Sequence, residues 1–176
     1  MGLTKKEKFD VVIIGAGAAG VGVGSLLKLL GVKKFIILER HEIGASFGRW
    51  PKEMNFITPS FPGHGFGMLD LNAVVPNTSP GHIFKLEHPD GKSYQIYLKS
   101  VAKHFELPVR TGVDVTDIEP LKTGGFDIKT DKGEIRSRFV IWAAGEYQYP
   151  SLGAFPGSEH CIHNSAVASW RDIKGE

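Results

Sequence analysis

Over the first forty residues the spacing of apolar positions changes twice. Val11-Val12-Ile13-Ile14 is a continuous apolar run, β-branched throughout and too short for a typical helix, which predicts a strand buried on both faces. A helix-length segment then starts near Gly17 and ends at Leu30-Gly31, with Gly31 as a natural C-terminal cap. A second apolar run, Phe35 to Leu38, closes on Glu39. Further along, Tyr94, Tyr97, Leu98, Val101, Ala102 and Phe105 recur at helical spacing and leave Lys99, Lys103 and His104 for solvent. Val113 to Ile118 and Phe126 to Lys129 alternate as half-buried strands, Asp131-Lys132-Gly133 makes a turn, and Ser137 to Gly145 forms a last apolar strand. The expected fold is α/β: a parallel sheet with a small β-meander inserted before the chain returns to it.

Two stretches carry no clear period. His41 to Gly81 is rich in proline and glycine but also holds Phe47, Trp50, Phe56, Phe61 and Phe66, too apolar a content for disorder. It reads as a segment wrapping a flat ligand, with Arg49 and Trp50 as its contacts; plain core packing is the competing role for Trp50. Tyr147 to Glu176 is loop-like, with a short turn of helix expected at Ser165 to Trp170. Gly22 and Gly24 lie inside the first helix, where each costs roughly 1 kcal/mol against alanine. Either close packing on the sheet or simple tolerance accounts for them. The divisions expected are an N-terminal arm at 1–8, a dinucleotide-binding domain at 9–150 and a linker at 151–176.

Composition narrows the function classes. The chain has 176 residues, 41% hydrophobic and 23% charged, as in an ordinary globular domain. A formal charge of +2, with no Lys/Arg run interleaved with aromatics, points away from nucleic acid. No apolar stretch reaches membrane-spanning length and no signal-peptide core follows Met1 to Lys8, so the expected location is cytoplasmic. The lone Cys161 excludes a disulfide framework or a C-x-x-C dithiol within these residues. His64, His82 and His88 lack metal-ligand spacing and read as surface or loop residues.

The chemistry is carried by Gly15-Ala16-Gly17-Ala18-Ala19-Gly20, which fits G-x-G-x-x-G directly after a strand and at the opening of a helix. Gly15 permits the tight turn, Gly17 leaves room for a pyrophosphate against the backbone, and Gly20 lets helix and strand pack closely. The pyrophosphate would rest on unpaired N–H groups at the positive end of the helix. Glu39 stands nineteen residues after Gly20, at the end of the second strand, where a carboxylate accepts hydrogen bonds from a ribose diol. Together these define an adenine-dinucleotide site.

With these residues in place the sequence resembles the two-dinucleotide-binding-domain flavoproteins, the fold class of glutathione reductase and the flavin-containing monooxygenases. Three landmarks carry the likeness: Val12 to Gly20 with Glu39-Arg40; the helix-then-strand pair around Tyr97-Leu98 and Val115; and Val140-Ile141-Trp142-Ala143-Ala144-Gly145, an apolar strand ending in Ala-x-Gly. The resemblance implies a Rossmann-like FAD-binding domain, with FAD on Gly15, Gly17, Ala18, Ala19 and Gly20. It further implies adenine held through backbone groups near Val115, and Arg40, Ala144 and Gly145 among the flavin contacts. A second fingerprint for NAD(P)H would follow Gly145 in that family and is absent here, so these residues are expected to form the flavin part of a larger enzyme, slow with NAD(P)H on their own.

The expected function is FAD-dependent NAD(P)H oxidoreduction, passing hydride from nicotinamide to flavin and on to an unknown small-molecule substrate or electron acceptor. A homo-oligomer is possible. Two other readings stand beside it. One is flavin-dependent monooxygenation, although Phe155-Pro156-Gly157 begins the family's F-x-G-x-x-x-H pattern only to meet Cys161 at the histidine place. The other is a non-catalytic FAD-binding module. No general acid or base stands out; Glu146 and Tyr147 are weighed as flavin neighbours against an ordinary loop role.

Overall fold

The computed structural model describes residues 6–61, 70–146, 148–151, 153 and 155–174. In chain order the elements are β1 (Glu7–Ile14), α1 (Ala18–Leu29), β2 (Phe35–Glu39), α2 (Ala45–Gly48), α3 (Pro80–Phe84), α4 (Gly91–His104), β3 (Val109–Thr111), β4 (Val115–Pro120), β5 (Phe126–Thr130) and β6 (Gly133–Trp142). Three 3-10 turns follow, at Ser158–His160, Asn164–Ala166 and Trp170–Asp172. The chain divides into two compact units, Met1–Ile43 with Ser100–Ala144, and Gly44–Lys99 with Gly145–Glu176.

The first unit holds one six-stranded sheet in the order β3-β2-β1-β6-β5-β4. The pairs β3–β2, β2–β1 and β1–β6 are parallel, while β5 and β4 run antiparallel. The expected meander is thus continuous with the parallel sheet. β6 is ten residues long and serves both parts: Gly133 to Ser137 pair with β5, and Ile135 to Trp142 pair with β1. β1 starts at Glu7, paired with Ile135, so the last two residues of the expected arm are strand. The three-residue β3 carries no readable period, and no strand was expected there.

β1 and β2 explain their unbroken apolar runs by burial on both faces. Val12, Ile14, Ile36 and Leu38 join Val113, Ile128 and Ile135 in one cluster; Val11, Ile13, Phe35 and Ile37 form another, against which Val23, Leu27 and Leu107 pack. A Cβ on Gly24 would stand 2.7 Å from Ile37 Cδ1, so close helix–sheet packing accounts for that glycine. α1 ends with Gly31 at φ 76°, its N–H donating to the Lys28 carbonyl at 3.0 Å.

In the second unit, polar hubs order the irregular stretch. The Asp70 carboxylate accepts the Asn72 N–H at 2.8 Å and the Ser60 and Ser79 hydroxyls at 3.2 and 2.6 Å. Tyr97 Oη accepts the Val74 N–H at 2.9 Å, and Tyr94 Oη donates to the Asn72 carbonyl at 2.8 Å. Phe47, Trp50, Phe56 and Tyr94 pack with ring centroids 4.5 to 5.9 Å apart. Burial holds the Tyr94 phenol well above its usual range, so it stays neutral as a donor. The tail is pinned at Glu53, which accepts the Ser169 hydroxyl at 2.6 Å and the Trp170 N–H at 3.0 Å.

One ion cluster in the first unit sets an acid limit. Arg136 grips Asp127 with Nε at 2.8 Å and Nη2 at 3.1 Å, and Lys6 adds a contact at 3.2 Å. These hold the Asp127 carboxyl down at about 2. A depressed folded pKa gives stability that is complete above the ordinary carboxylate value, about 3.9, and is lost as pH falls toward the folded value. Urea midpoints taken between about pH 5 and pH 2 should therefore fall less steeply for Asp127→Asn than for the native chain. Equal slopes would remove this cluster as a source of acid sensitivity.

Candidate functional site

The parallel strands β3, β2, β1 and β6 present their carboxyl ends on one edge, and the strand order reverses between β1 and β6. Ligands of open α/β sheets bind in the crevice at such a switch point. The glycine loop, residues 15–20, occupies it. The Gly15 N–H donates to the Leu38 carbonyl at 2.8 Å, and the Ala143 N–H donates to the Ile14 carbonyl at 2.8 Å. Gly15 has φ 102°, and a Cβ there would lie 2.3 Å from the Ala143 oxygen; at Gly20 it would lie 1.9 Å from the Gly15 oxygen. Both are fixed by backbone contact.

Gly17 differs. It is the N-cap of α1, and nothing lies within 4 Å of where its Cβ would be. No side chain caps the helix and no acidic residue stands in its first turn. The Val21 N–H reaches the Gly17 carbonyl at 3.0 Å, but Ala18, Ala19 and Gly20 precede the first residue that can bond within the helix. Open space against the turn and unpaired N–H groups at a helix start fit a phosphate.

The Glu39 carboxylate is 9% exposed and accepts the Ala16 N–H through Oε2 and the His41 N–H through Oε1, each at 2.8 Å. Each oxygen keeps acceptor capacity for a hydroxyl. Arg40 Nε donates to Asp114 Oδ1 at 2.7 Å, and the Val113 N–H donates to the Glu39 carbonyl at 3.0 Å. The loop after β3 is thereby stitched to the end of β2. Val115 stands two residues beyond, opening β4 and packed on the Val12–Leu38 cluster. Ala144 is exposed, and its Cα lies 3.0 Å from the site of a Gly15 Cβ.

The second unit contains the other expected contacts. Arg49 and Trp50 line a cavity of about 620 Å³ with Met54, Pro150 and His163, and also line one of about 760 Å³. Trp50 packs in the aromatic cluster and also lines both cavities. Gln148 lines the smaller cavity, and its Nε2 is buried without a hydrogen-bond partner. His163 Nδ1 accepts the Ser165 N–H at 3.2 Å. Glu146 lines the same cavity, and Gly145 has φ 75°. Tyr147 and His64 fall outside the described residues. Among the described residues no group of His, Cys, Asp or Glu is placed to hold a metal. No helix among them is long and apolar enough to cross a membrane.

Comparison with known proteins matches residues 12–176 to the model of the pyridine nucleotide-disulphide oxidoreductases. The chain belongs to that family. An uncharacterized oxidoreductase, CzcO of Bacillus velezensis, is 29% identical over 148 residues, covering 82% of this chain and 38% of its own length. The Baeyer-Villiger monooxygenase ATR8 of Stachybotrys chlorohalonatus is 27% identical over 92% of this chain and 25% of its own length. The crystal structure of OTEMO with FAD and NADP superposes at a TM-score of 0.66 and 19% identity, over 94% of this chain and 33% of that one, a likeness of fold. The chain spans well under half the length of each. Its fold is α/β, of the Rossmann type.

Sequence reasoning missed Val113 and Asp114. Their partners, Glu39 and Arg40, lie 74 residues away in the second case, and neither residue type signals a link at that distance. Glu39 itself should matter to folding before any ligand arrives. In Glu39→Ala the buried Ala16 N–H loses its acceptor, which should lower the stability of the ligand-free chain by roughly 1–3 kcal/mol. Urea unfolding measures this, and an unchanged midpoint would show the contact to be dispensable.

Proposed function

We propose that the glycine loop binds FAD, and that this chain is the flavin-holding part of an NAD(P)H-dependent oxidoreductase. The observation that carries the reading is the uncapped start of α1 beside the open face of Gly17. Its N–H groups would take the pyrophosphate, with Ala18, Ala19 and Gly20 supplying the turn. Glu39 would accept the ribose hydroxyls with the lone pairs its two backbone partners leave free. Arg40, fixed by Asp114, would flank the ribose, and backbone near Val115 the adenine. Ala144 and Gly145 follow the strand that the loop abuts, and Trp50, on the wall of the smaller cavity, would offer a flat face to a ring.

FAD, when bound, supplies two-electron chemistry between a nicotinamide and an acceptor, and the protein supplies orientation and electrostatics. The nicotinamide nucleotide and a small-molecule acceptor complete the reaction in the whole enzyme. Monooxygenation is the second reading. The Baeyer-Villiger relative favours it, and Cys161 at the place of the pattern histidine weighs against it.

The test uses the different surroundings of two glycines. Gly17→Val places its side chain in open space, so the chain should fold with a loss of about 1 kcal/mol or less from the poorer N-cap yet retain no flavin. Gly20→Ala meets the Gly15 carbonyl and should fail to fold stably. Visible flavin absorbance and circular dichroism read the two effects separately. A folded Gly17→Val protein with normal flavin content would overturn the site.

A further inference from the structure

The larger cavity of the second unit, about 760 Å³, is lined by three cations, Arg49, Lys52 and Lys92, and by a single carboxylate, Asp90. Asp90 is already engaged: its Oδ1 accepts the Ser93 N–H at 2.6 Å. None of the three cationic side chains has a hydrogen bond or ion pair with a described residue.

The walls are held in place. A Cβ on Gly48 would lie 2.5 Å from Gln95 Oε1, and one on Gly91 would lie 2.2 Å from the Phe47 oxygen and 2.9 Å from Trp50 Cβ. The segment with Trp50 and the start of α4 therefore meet as closely as backbone allows. Gln95 is 8% exposed. The opposite wall, residues 165–168, is fixed by the Lys52 N–H donating to the Ala168 carbonyl at 3.0 Å and by the Glu53 anchor just beyond. Lys52 is thus anchored through its own backbone at the rim.

We propose that this cavity binds a small-molecule polyanion, with clustered phosphate or carboxylate oxygens met by Arg49, Lys52 and Lys92. Three like charges around one space repel until an anion enters. Guanidinium and ammonium groups both suit phosphate and carboxylate, the guanidinium as a fork. The volume lies within the range of about 300–1,000 Å³ for small-molecule sites. Because the cations are exposed, attraction should weaken with added salt. Two sources share this chemistry: the phosphates of a nicotinamide nucleotide and the acid groups of a substrate or effector.

Titration calorimetry of the chain with adenosine 2′,5′-bisphosphate, pyrophosphate and citrate tests the site. Two backgrounds are used, FAD-saturated protein and Gly17→Val, so that the glycine loop is filled or blocked. At least one probe should bind saturably in both, more weakly as salt rises. Lys52→Gln/Lys92→Gln should weaken it by about tenfold or more, roughly 1.4 kcal/mol. Lys28→Gln/Lys33→Gln removes the same charge from the first unit and should leave it nearly unchanged. Preference for the bisphosphate assigns the site to a nucleotide, and preference for citrate assigns it to an acid. No saturable binding, equal loss in both double variants, or binding abolished by FAD would each overturn the proposal. Failure of the FAD reading is seen separately, as a native chain that takes up no flavin.

Discussion

One carboxylate, that of Glu39, joins the end of a strand to the turn on which the first unit's chemistry depends. Its position follows from register. Parallel pairing sets Ile14 against Leu38, which brings Glu39 level with the start of the glycine loop, within 2.8 Å of the Ala16 N–H. A slip of one residue would turn the side chain to the other face of the sheet. The register is in turn fixed by two clusters that bury alternate residues of β1 and β2 on opposite faces. Core packing thus sets the geometry of the crevice.

That order has an energetic consequence. A turn already held by Leu38, Ala143 and Glu39 has little freedom left to lose when a ligand arrives, and what is not lost in ordering appears as affinity. Gly15 and Gly20 owe their identity to backbone oxygens at 2.3 and 1.9 Å, so they belong to folding. Gly17 has no such neighbour. A single six-residue motif therefore divides by physical cause into positions that make the turn and one that leaves it open.

The βαβ unit was legible because local signals agreed: unbroken β-branched runs, a helix-length interval, glycine at both ends and an acid at the right distance. Less legible were contacts between residues distant in sequence. Arg40 with Asp114 and Glu39 with Val113 depend on a three-residue strand too short to show a period. The irregular segment from His41 to Gly81 was read from its aromatics as too apolar for disorder, but Asp70 as a hub among its described residues was not foreseen, since one aspartate in a loop looks like any other. Arg49 and Trp50 were singled out for their type, while Lys52 and Lys92 gave no signal until folding set them around one space.

Among the described residues, buried side-chain polar atoms are almost all hydrogen-bonded. α3 is capped by Ser79, whose hydroxyl accepts the His82 N–H at 3.1 Å, and two of the three tail turns are capped by His163 and Ser169, while the short α2 and the turn at Ser158–His160 have no capping side chain. Against that background, α1 is the longest helix of the first unit's own and begins with neither a capping side chain nor an acid. Among the described residues Gln148 buries a donor without a partner beside one cavity. Each exception leaves out an interaction that nearby sequence could have provided through a serine or an aspartate. Where a chain satisfies its polar groups elsewhere and leaves them open at a crevice or cavity, the missing partner is best sought outside the chain.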